Sequence, residues 1–299
     1  MKSSKDAHKE KMIHLNLKQK SFYESRFDAR GQVNKKEANQ ITNLWTYIRR
    51  KQQKFRHAFN IQNSTLDLHK SWVESIDQGT LNILDLGCFS GNALSFWLAE
   101  KAKYYLGVDL SEKAINELRT KIKELNLNQA DAVAMDFLDN DFEAGSFDLV
   151  YAYSVLHHFQ FFETVLKEIH RILKPGGHVI SFDPLNTSIL IRLARAFYKP
   201  FQSDYEWEFP FKNKTFKIIE QYFQLVEVRG SMGIAKYAFP ISLLPACGGI
   251  GAKLTNWGNQ VDHDNATKPG FHLNQCLQVS LLLNKTNESA AFRKFLTDR

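Results

Sequence analysis

One eleven-residue stretch, NILDLGCFSGN at residues 82–92, constrains the fold of this 299-residue chain more than any other. Asn82, Ile83, Leu84, Asp85 and Leu86 make a short apolar run that ends in Gly87, and a helix-like pattern opens at Asn92. The pattern is that of a buried strand, a tight glycine turn and a helix start. Gly87 and Gly91 have no Cβ, so the backbone turns sharply and a ligand can lie against it. Backbone N–H groups at a helix start have no intrahelical partners and point at whatever lies in front of them. Asp85, at the strand end, offers an acceptor to a cationic or hydroxyl-bearing ligand. The stretch is not a full GxGxxG dinucleotide motif, because Phe89 takes the place of the middle glycine. By itself it also fits an ordinary strand–helix turn, and the residues downstream decide between the two.

Downstream the chain keeps a regular rhythm. Residues 104–109 (YYLGVD), 131–137 (DAVAMDF), 146–153 (SFDLVYAY) and 178–183 (HVISFD) read as strands. Between them, residues 93–102, 111–125 and 159–173 read as helices; Ser111 is a good N-cap for the second, and Pro175, Gly176 and Gly177 stop the third. A helix at 186–198, an aromatic and acidic loop at 200–210, a short helix at 215–222 and strands at 225–230 and 276–284 follow. Alternation of this kind builds βαβ units on a parallel sheet, with ligands bound at the carboxyl ends of the strands.

The flanks differ from this centre. Residues 1–20 are polar and lysine-rich, and read as frayed. Ile41, Leu44, Trp45, Ile48, Phe55 and Phe59 form the apolar stripe of a helix over residues 36–59, with basic residues crowding its other side. Residues 66–76 read as another amphipathic helix. Residues 1–60 hold 15 Lys/Arg against 5 Asp/Glu, whereas the remainder holds 24 against 27. The basic character therefore belongs to the N-terminal region, where it suits a solvated helix face or an acidic partner: nucleic acid, an anionic lipid surface or an acidic protein. No apolar run is long enough to span a bilayer, and the N-terminus has no apolar core of a secretory signal. Cys88, Cys247 and Cys276 lack metal-ligand spacing and are expected as reduced thiols in a cytoplasmic protein.

Polar groups collect at four strand ends: Asp85 with Gly87, then Asp109, then Asp136, then Ser154 with His157 and His158. Asp109 lies 18 residues beyond Gly91, where a ribose-binding acid falls in a nucleotide-binding βαβ unit. Asp136 offers an acceptor to an adenine amino group, and Phe137 a flat wall for its ring. Strand-end acids also serve as helix caps, so it is their combination in order that carries weight.

The segments ILDLGCFSG, LGVDLS, AMDF, FDLVYAYSVLHHF and LKPGGHVISFDP resemble, in order, the motifs of class I S-adenosylmethionine-dependent methyltransferases, most closely the branch acting on small molecules and quinone- or lipid-like acceptors. The resemblance covers residues 81–185 and extends weakly to 276–284. It implies a Rossmann-like, mostly parallel seven-stranded sheet, order 3-2-1-4-5-7-6, with helices on both faces. Residues 1–70 would be a helical lid, 71–285 the methyltransferase domain with a substrate-capping insertion at 231–275, and 286–299 a tail. Asp85, Gly87, Cys88 and Gly91 would hold the methionine part of S-adenosyl-L-methionine, Asp109 its ribose, and Asp136 and Phe137 its adenine. Leu110 would cover the other face of the adenine, with Tyr153 and Ser154 near the sulfonium. Tyr23 would close over the methionine carboxylate. Phe89 departs from the family's glycine, and its side chain is expected to point away from the cofactor.

A sulfonium is already a strong electrophile, so methyl transfer mainly needs a nucleophile held in line with the S–CH3 bond. For a hydroxyl acceptor a base helps, and His157 and His158 are the candidates. No Cys/His/carboxylate cluster has metal-ligand spacing, so a metal-independent reaction is expected. Apolar residues of 231–275 and aromatics of 197–211 suggest a hydrophobic, aromatic or lipid-like acceptor, with peripheral contact to an anionic membrane surface. Two other functions fit less of the sequence. An RNA or protein methyltransferase would dock through the basic N-terminus, but no nucleic-acid module is visible. A non-catalytic cofactor-binding scaffold would not need the intact acids.

Overall fold

In the computed structural model, residues 4–25, 47, 50–51, 61–76, 80–91, 94–199, 207–238, 241 and 248–285 are described. Most of the helix read at residues 36–59, the loop at 200–206 and the tail lie outside them.

Strands β1 (Asn82–Leu86), β2 (Tyr104–Asp109), β3 (Ala130–Ala134), β4 (Phe147–Tyr153), β5 (Leu173–Pro184), β6 (Phe223–Ser231) and β7 (Gln278–Lys285) form one sheet. Its order is β3-β2-β1-β4-β5-β7-β6, as the resemblance implies. The first five strands pair in parallel, and β7 returns antiparallel between β5 and β6. The helices are α1 (Ser4–Glu24), α2 (Ile61–Ile76), α3 (Ser95–Lys101), α4 (Glu112–Glu124), α5 (Phe162–Ile172), α6 (Ile189–Tyr198), α7 (Asn213–Tyr222), α8 (Gly248–Asn265) and the short α9 (Phe271–Asn274). None of the described helices is long and apolar enough to cross a membrane.

Side chains alternate across a strand, so the sheet supports two cores. On one face Ile83, Tyr105, Leu149 and Tyr151 meet Trp72 and Val73 of α2, Leu98 of α3, and Ile115 and Leu118 of α4. On the other, Leu84, Val150, Val179 and Leu281 meet Val165 and Ile169 of α5 and Phe216 and Ile219 of α7. A buried polar bridge strengthens the first core. His69 of α2, 0% exposed, lies 3.1 Å from the Tyr151 hydroxyl and 2.9 Å from Ser280 Oγ, so one helix is tied to β4 and β7. Burial lowers its pKa to about 3, and the ring is neutral.

Two readings of the sequence need correction here. Residues 4–24 are helical rather than frayed. β5 begins at Leu173, so Pro175, Gly176 and Gly177 lie within a strand, and its pairing with β4 slips between Phe147 and Leu149. Of the β6–β7 insertion, α8 packs on β6 and on the turn Ala235–Tyr237. Cys88 and Cys276 are buried free thiols, and Cys247 lies outside the described residues.

Candidate active site

The carboxyl ends of β1, β2, β3 and β4 open into one cleft of about 200 Å³. Gly87 stands at its floor with φ +68°, a conformation that an L side chain rarely adopts. A Cβ built there would lie 2.4 Å from Val155 Cγ2, so only bare backbone fits. Phe89 also has a positive φ, 50°, and its N–H donates to Asp109 Oδ2 at 3.0 Å. Asp109 Oδ1 accepts from Ser111 N at 2.9 Å. One carboxylate at the end of β2 thus fixes the β1 turn and the start of α4. Burial raises the pKa of Asp109, opposed by its backbone hydrogen bonds to Ser111, Phe89 and Leu110.

Asp136 lies just past β3 and caps the turn Phe137–Asp139, accepting from Leu138 N at 3.0 Å. Its other oxygen accepts from Asn16 Nδ2 of α1 at 2.6 Å. Helix α1 lies along the cleft, and Asn16, Gln19 and Tyr23 all line it. Lys20 pairs with Glu112 at 3.2 Å, and Gln19 Nε2 donates to the His158 carbonyl at 3.3 Å.

The histidine pair divides its work. His158 lines the cleft, with Nδ1 3.2 Å from the Trp207 carbonyl and Nε2 3.2 Å from the Tyr23 hydroxyl. A carbonyl only accepts, so Nδ1 carries the proton and Nε2 holds the lone pair on the Tyr23 side. His157 is 4% exposed, and donates from its backbone N at 3.1 Å and from Nδ1 at 2.8 Å to Asp183 Oδ1. Burial pushes the Asp183 carboxyl up to about 7 against those hydrogen bonds.

Of the residues singled out from sequence, Tyr23, Gly87, Asp109, Leu110, Asp136, Phe137, Ser154 and His158 line this cleft. Asp85, Cys88, Gly91, Tyr153 and His157 do not, and each has a structural reason. Asp85 is 0% exposed and accepts from Ser95 Oγ at 2.6 Å and Tyr105 OH at 2.7 Å, which braces the turn from beneath. The Cys88 thiol is buried, and burial raises its pKa. Gly91 gives room to the Phe96 ring, 2.7 Å from where a Cβ would stand. Tyr153 stacks on Phe182 with centroids 4.9 Å apart. Phe89 reaches the cleft instead of turning from it, and its ring meets that of Tyr23 at 6.2 Å. Asn92 lies outside the described residues. Sequence reasoning missed Asn16 and Gln19, whose 3-4-7 spacing with Tyr23 was the available signal, and Asp183, the acid that ends the fifth strand. Among the described residues, no group of three or more His, Cys, Asp or Glu side chains is placed to hold a metal ion, and none of the described residues of 231–275 lines the cleft.

Residues 84–181 match the profile of a family described as methyltransferase domain. A demethylmenaquinone methyltransferase of Lactococcus lactis subsp. lactis (strain IL1403) is 32% identical over 151 residues, 48% of this chain and 56% of that protein. The 24-methylenesterol C-methyltransferase 2 of Oryza sativa subsp. japonica is 29% identical over 108 residues, 36% of this chain and 30% of that protein. The chain thus spans about half or less of the length of these relatives. Among solved structures, a candidate methyltransferase of Bacillus halodurans C-125 aligns with TM-score 0.52 at 20% identity over 74% of this chain and 99% of the other. Geranyl diphosphate C-methyltransferase of Streptomyces coelicolor A3(2), solved with Mg2+, geranyl diphosphate and S-adenosyl-L-homocysteine, aligns with TM-score 0.50 at 12% identity over 74% and 77%. At such identities the structures speak for the fold, and the sequence match speaks for the central domain. Residues 84–181 are thus similar in sequence to a methyltransferase domain, and the sheet that carries the acids at the ends of β2 and β3 has the fold of the solved methyltransferase structures.

Proposed function

We propose that this protein transfers a methyl group from S-adenosyl-L-methionine to a small, hydrophobic, aromatic or lipid-like acceptor. The observation that carries the proposal is the meeting of Gly87, Asp109, Leu110, Asp136 and Phe137 in one cleft. Their chemistry fits the cofactor: bare backbone at Gly87, two carboxylates for hydroxyl and amino donors, and apolar walls between them. In this reading Asp109 holds the ribose, Asp136 and Phe137 the adenine, and Leu110 the other face of that ring. Gly87 passes under the methionine part, with Ser154 beside it. Asp85, Cys88 and Gly91 support the turn, and Tyr153 backs the strand end.

When bound, the cofactor supplies an electrophilic methyl group on its sulfonium, a chemistry that needs no metal. The protein's task is then to align and exclude water. Helix α1 serves as a lid over the cleft through Asn16, Gln19 and Tyr23. If the acceptor is a hydroxyl, His158 Nε2 takes its proton, and His157 with Asp183 holds the loop in place. The relatives named for a menaquinone precursor and a sterol support an apolar acceptor. A cytoplasmic location completes the proposal, with the basic N-terminal region resting on an anionic membrane surface.

The test is calorimetric titration of the purified protein with S-adenosylmethionine and S-adenosylhomocysteine. Micromolar binding is expected in the wild type, and Asp109→Ala should lose it. Absence of binding to the wild type, or unchanged affinity in the variant, overturns the assignment.

A further inference from the structure

A second cavity, a groove of about 870 Å³, runs between α6 and the segment ahead of α7. It meets the cofactor cleft at Phe159, which lines both. Its wall is fixed to the active-site loop, because Phe209 N donates to the His157 carbonyl at 2.7 Å. It is fixed to the end of β5 as well: Phe211 N donates to Pro184 O at 2.8 Å, and Asn186 N to Phe211 O at 2.7 Å. A molecule lying in the groove can therefore present one end to the cleft.

The lining has two chemistries. Phe159, Phe162, Phe209 and Phe211 give an aromatic floor, with Phe162 and Phe211 edge to face at 5.2 Å. Among the described residues, Arg192, Arg195, Lys199 and Lys212 stand around it with one carboxylate, Glu208. Helix α6, ILIRLARAFY, carries no acid at all. Two lining residues also hold solvent-inaccessible polar atoms with no hydrogen-bond partner among the described residues: Arg195 Nε, a donor, and Asn186 Oδ1, an acceptor. Buried polar atoms are normally satisfied, and a guanidinium is suited to carboxylate or phosphate oxygens.

We propose that this groove is the acceptor site, and that it takes an amphipathic anion: an aromatic or long-chain body on the phenylalanine floor and a terminal carboxylate or phosphate on Arg192 and Arg195. The assignment of the groove to the acceptor rests on the methyltransferase reading, whereas the ligand class rests on the groove alone. Neutral apolar molecules fill the floor but bring no anionic oxygen to the arginines.

Calorimetry with laurate, dodecyl phosphate, 1-dodecanol and inorganic phosphate, all below micelle-forming concentrations, tests it. Laurate or dodecyl phosphate should bind at one site at least tenfold tighter than dodecanol, and inorganic phosphate alone should bind weakly. In the double variant R192A/R195A that preference should vanish, while dodecanol binding and S-adenosylhomocysteine binding stay within twofold. Lys212→Glu, at an exposed position, should weaken laurate in the same direction and guards against a folding defect in the double variant. Equal affinity for laurate and dodecanol, or a preference that survives both variants, overturns the proposal. Inorganic phosphate binding as tightly as dodecyl phosphate overturns it too, since the floor would then be idle. Titration of the same samples with S-adenosylhomocysteine separates the two readings. If that ligand binds and the anionic amphiphiles do not, the groove proposal fails alone. If the amphiphiles bind as expected and it does not, the cofactor reading fails alone.

Discussion

Replacing His69 with Gln should remove a large part of the acid sensitivity of this fold. The ring is 0% exposed, wedged between the Tyr151 hydroxyl and Ser280 Oγ and stacked on Trp72 at 5.5 Å. Burial lowers its pKa from 6.5 to about 3. In the unfolded chain the same ring titrates near its ordinary value. Between those two values the unfolded state binds a proton that the native state refuses, so stability falls as pH falls. The contribution is fully present above pH 6.5 and is lost as the pH drops towards 3. Each pH step of one costs about 1.4 kcal/mol, so lowering the pH from 6.5 to 5.0 should cost about 2 kcal/mol through this residue. The full descent should cost on the order of 5 kcal/mol. Gln keeps donors and acceptors for Tyr151 and Ser280 and cannot titrate. Urea unfolding of both proteins at pH 7.5, 6.5, 5.5 and 5.0 reads the effect as a difference of slopes. The wild-type curve should fall by about 2 kcal/mol more than the variant's over that range. Asp183, raised to about 7, contributes an opposite slope, stability lost as pH rises from 3.8 to about 7, and it cancels because both proteins carry it. Parallel curves for wild type and variant would refute the reasoning, because His69 would then be reached by protons in the native state.

The site supports three further predictions. Gly87→Ala combines a strained φ with a Cβ 2.4 Å from Val155, and urea unfolding should show a loss of about 2–5 kcal/mol; a loss below about 1 kcal/mol would mean that Val155 yields freely. His158→Ala should lower turnover on an identified hydroxyl acceptor while cofactor affinity holds, whereas His157→Ala should lower stability by about 1–3 kcal/mol by stranding Asp183; the reverse pattern removes His158 from the role of base. Asn16→Ala should quicken hydrogen exchange in α1 and weaken S-adenosylhomocysteine by about tenfold, the worth of one net hydrogen bond; if neither changes, α1 is not the lid.

The centre of the fold was readable in the sequence because apolar strands and amphipathic helices alternate there without interruption, and alternation leaves few topologies. The acids of β2 and β3 were readable for the same reason, since each follows its strand in the same rhythm. Residues 1–20 read as frayed because the inward face of α1 is Asn16, Gln19 and Tyr23, and a search for apolar periodicity passes over polar residues at the same spacing. Asp85 reads as a ligand contact from its place near a strand end, but position along a strand does not tell which face a side chain takes. It pairs in register with Tyr151 and shares the face of α2 to α4, where its Oδ2 accepts from Ser95 and Tyr105. Tyr153, two residues beyond Tyr151, follows it to that face.

The paired histidines show the same limit at its sharpest. Both lie in the single 3-10 turn Leu156–His158, where successive side chains diverge by about 120°. One of two neighbours must therefore point inward, and nothing in the dipeptide says which. The choice is made far away in the chain. Asp183, at the end of β5, takes both the backbone N and Nδ1 of His157, and Phe209 N takes its carbonyl. With His157 held at three atoms, the turn has one remaining direction for His158, towards Tyr23 and the cleft. Which nitrogen of His158 carries the proton is settled in the same way, by the Trp207 carbonyl on its Nδ1. Which histidine faces the cleft, and its tautomer, are thus tertiary properties, set by β5 and by the segment that also walls the groove. A residue in that segment can alter the orientation and tautomer of His158 without lying in the cleft itself.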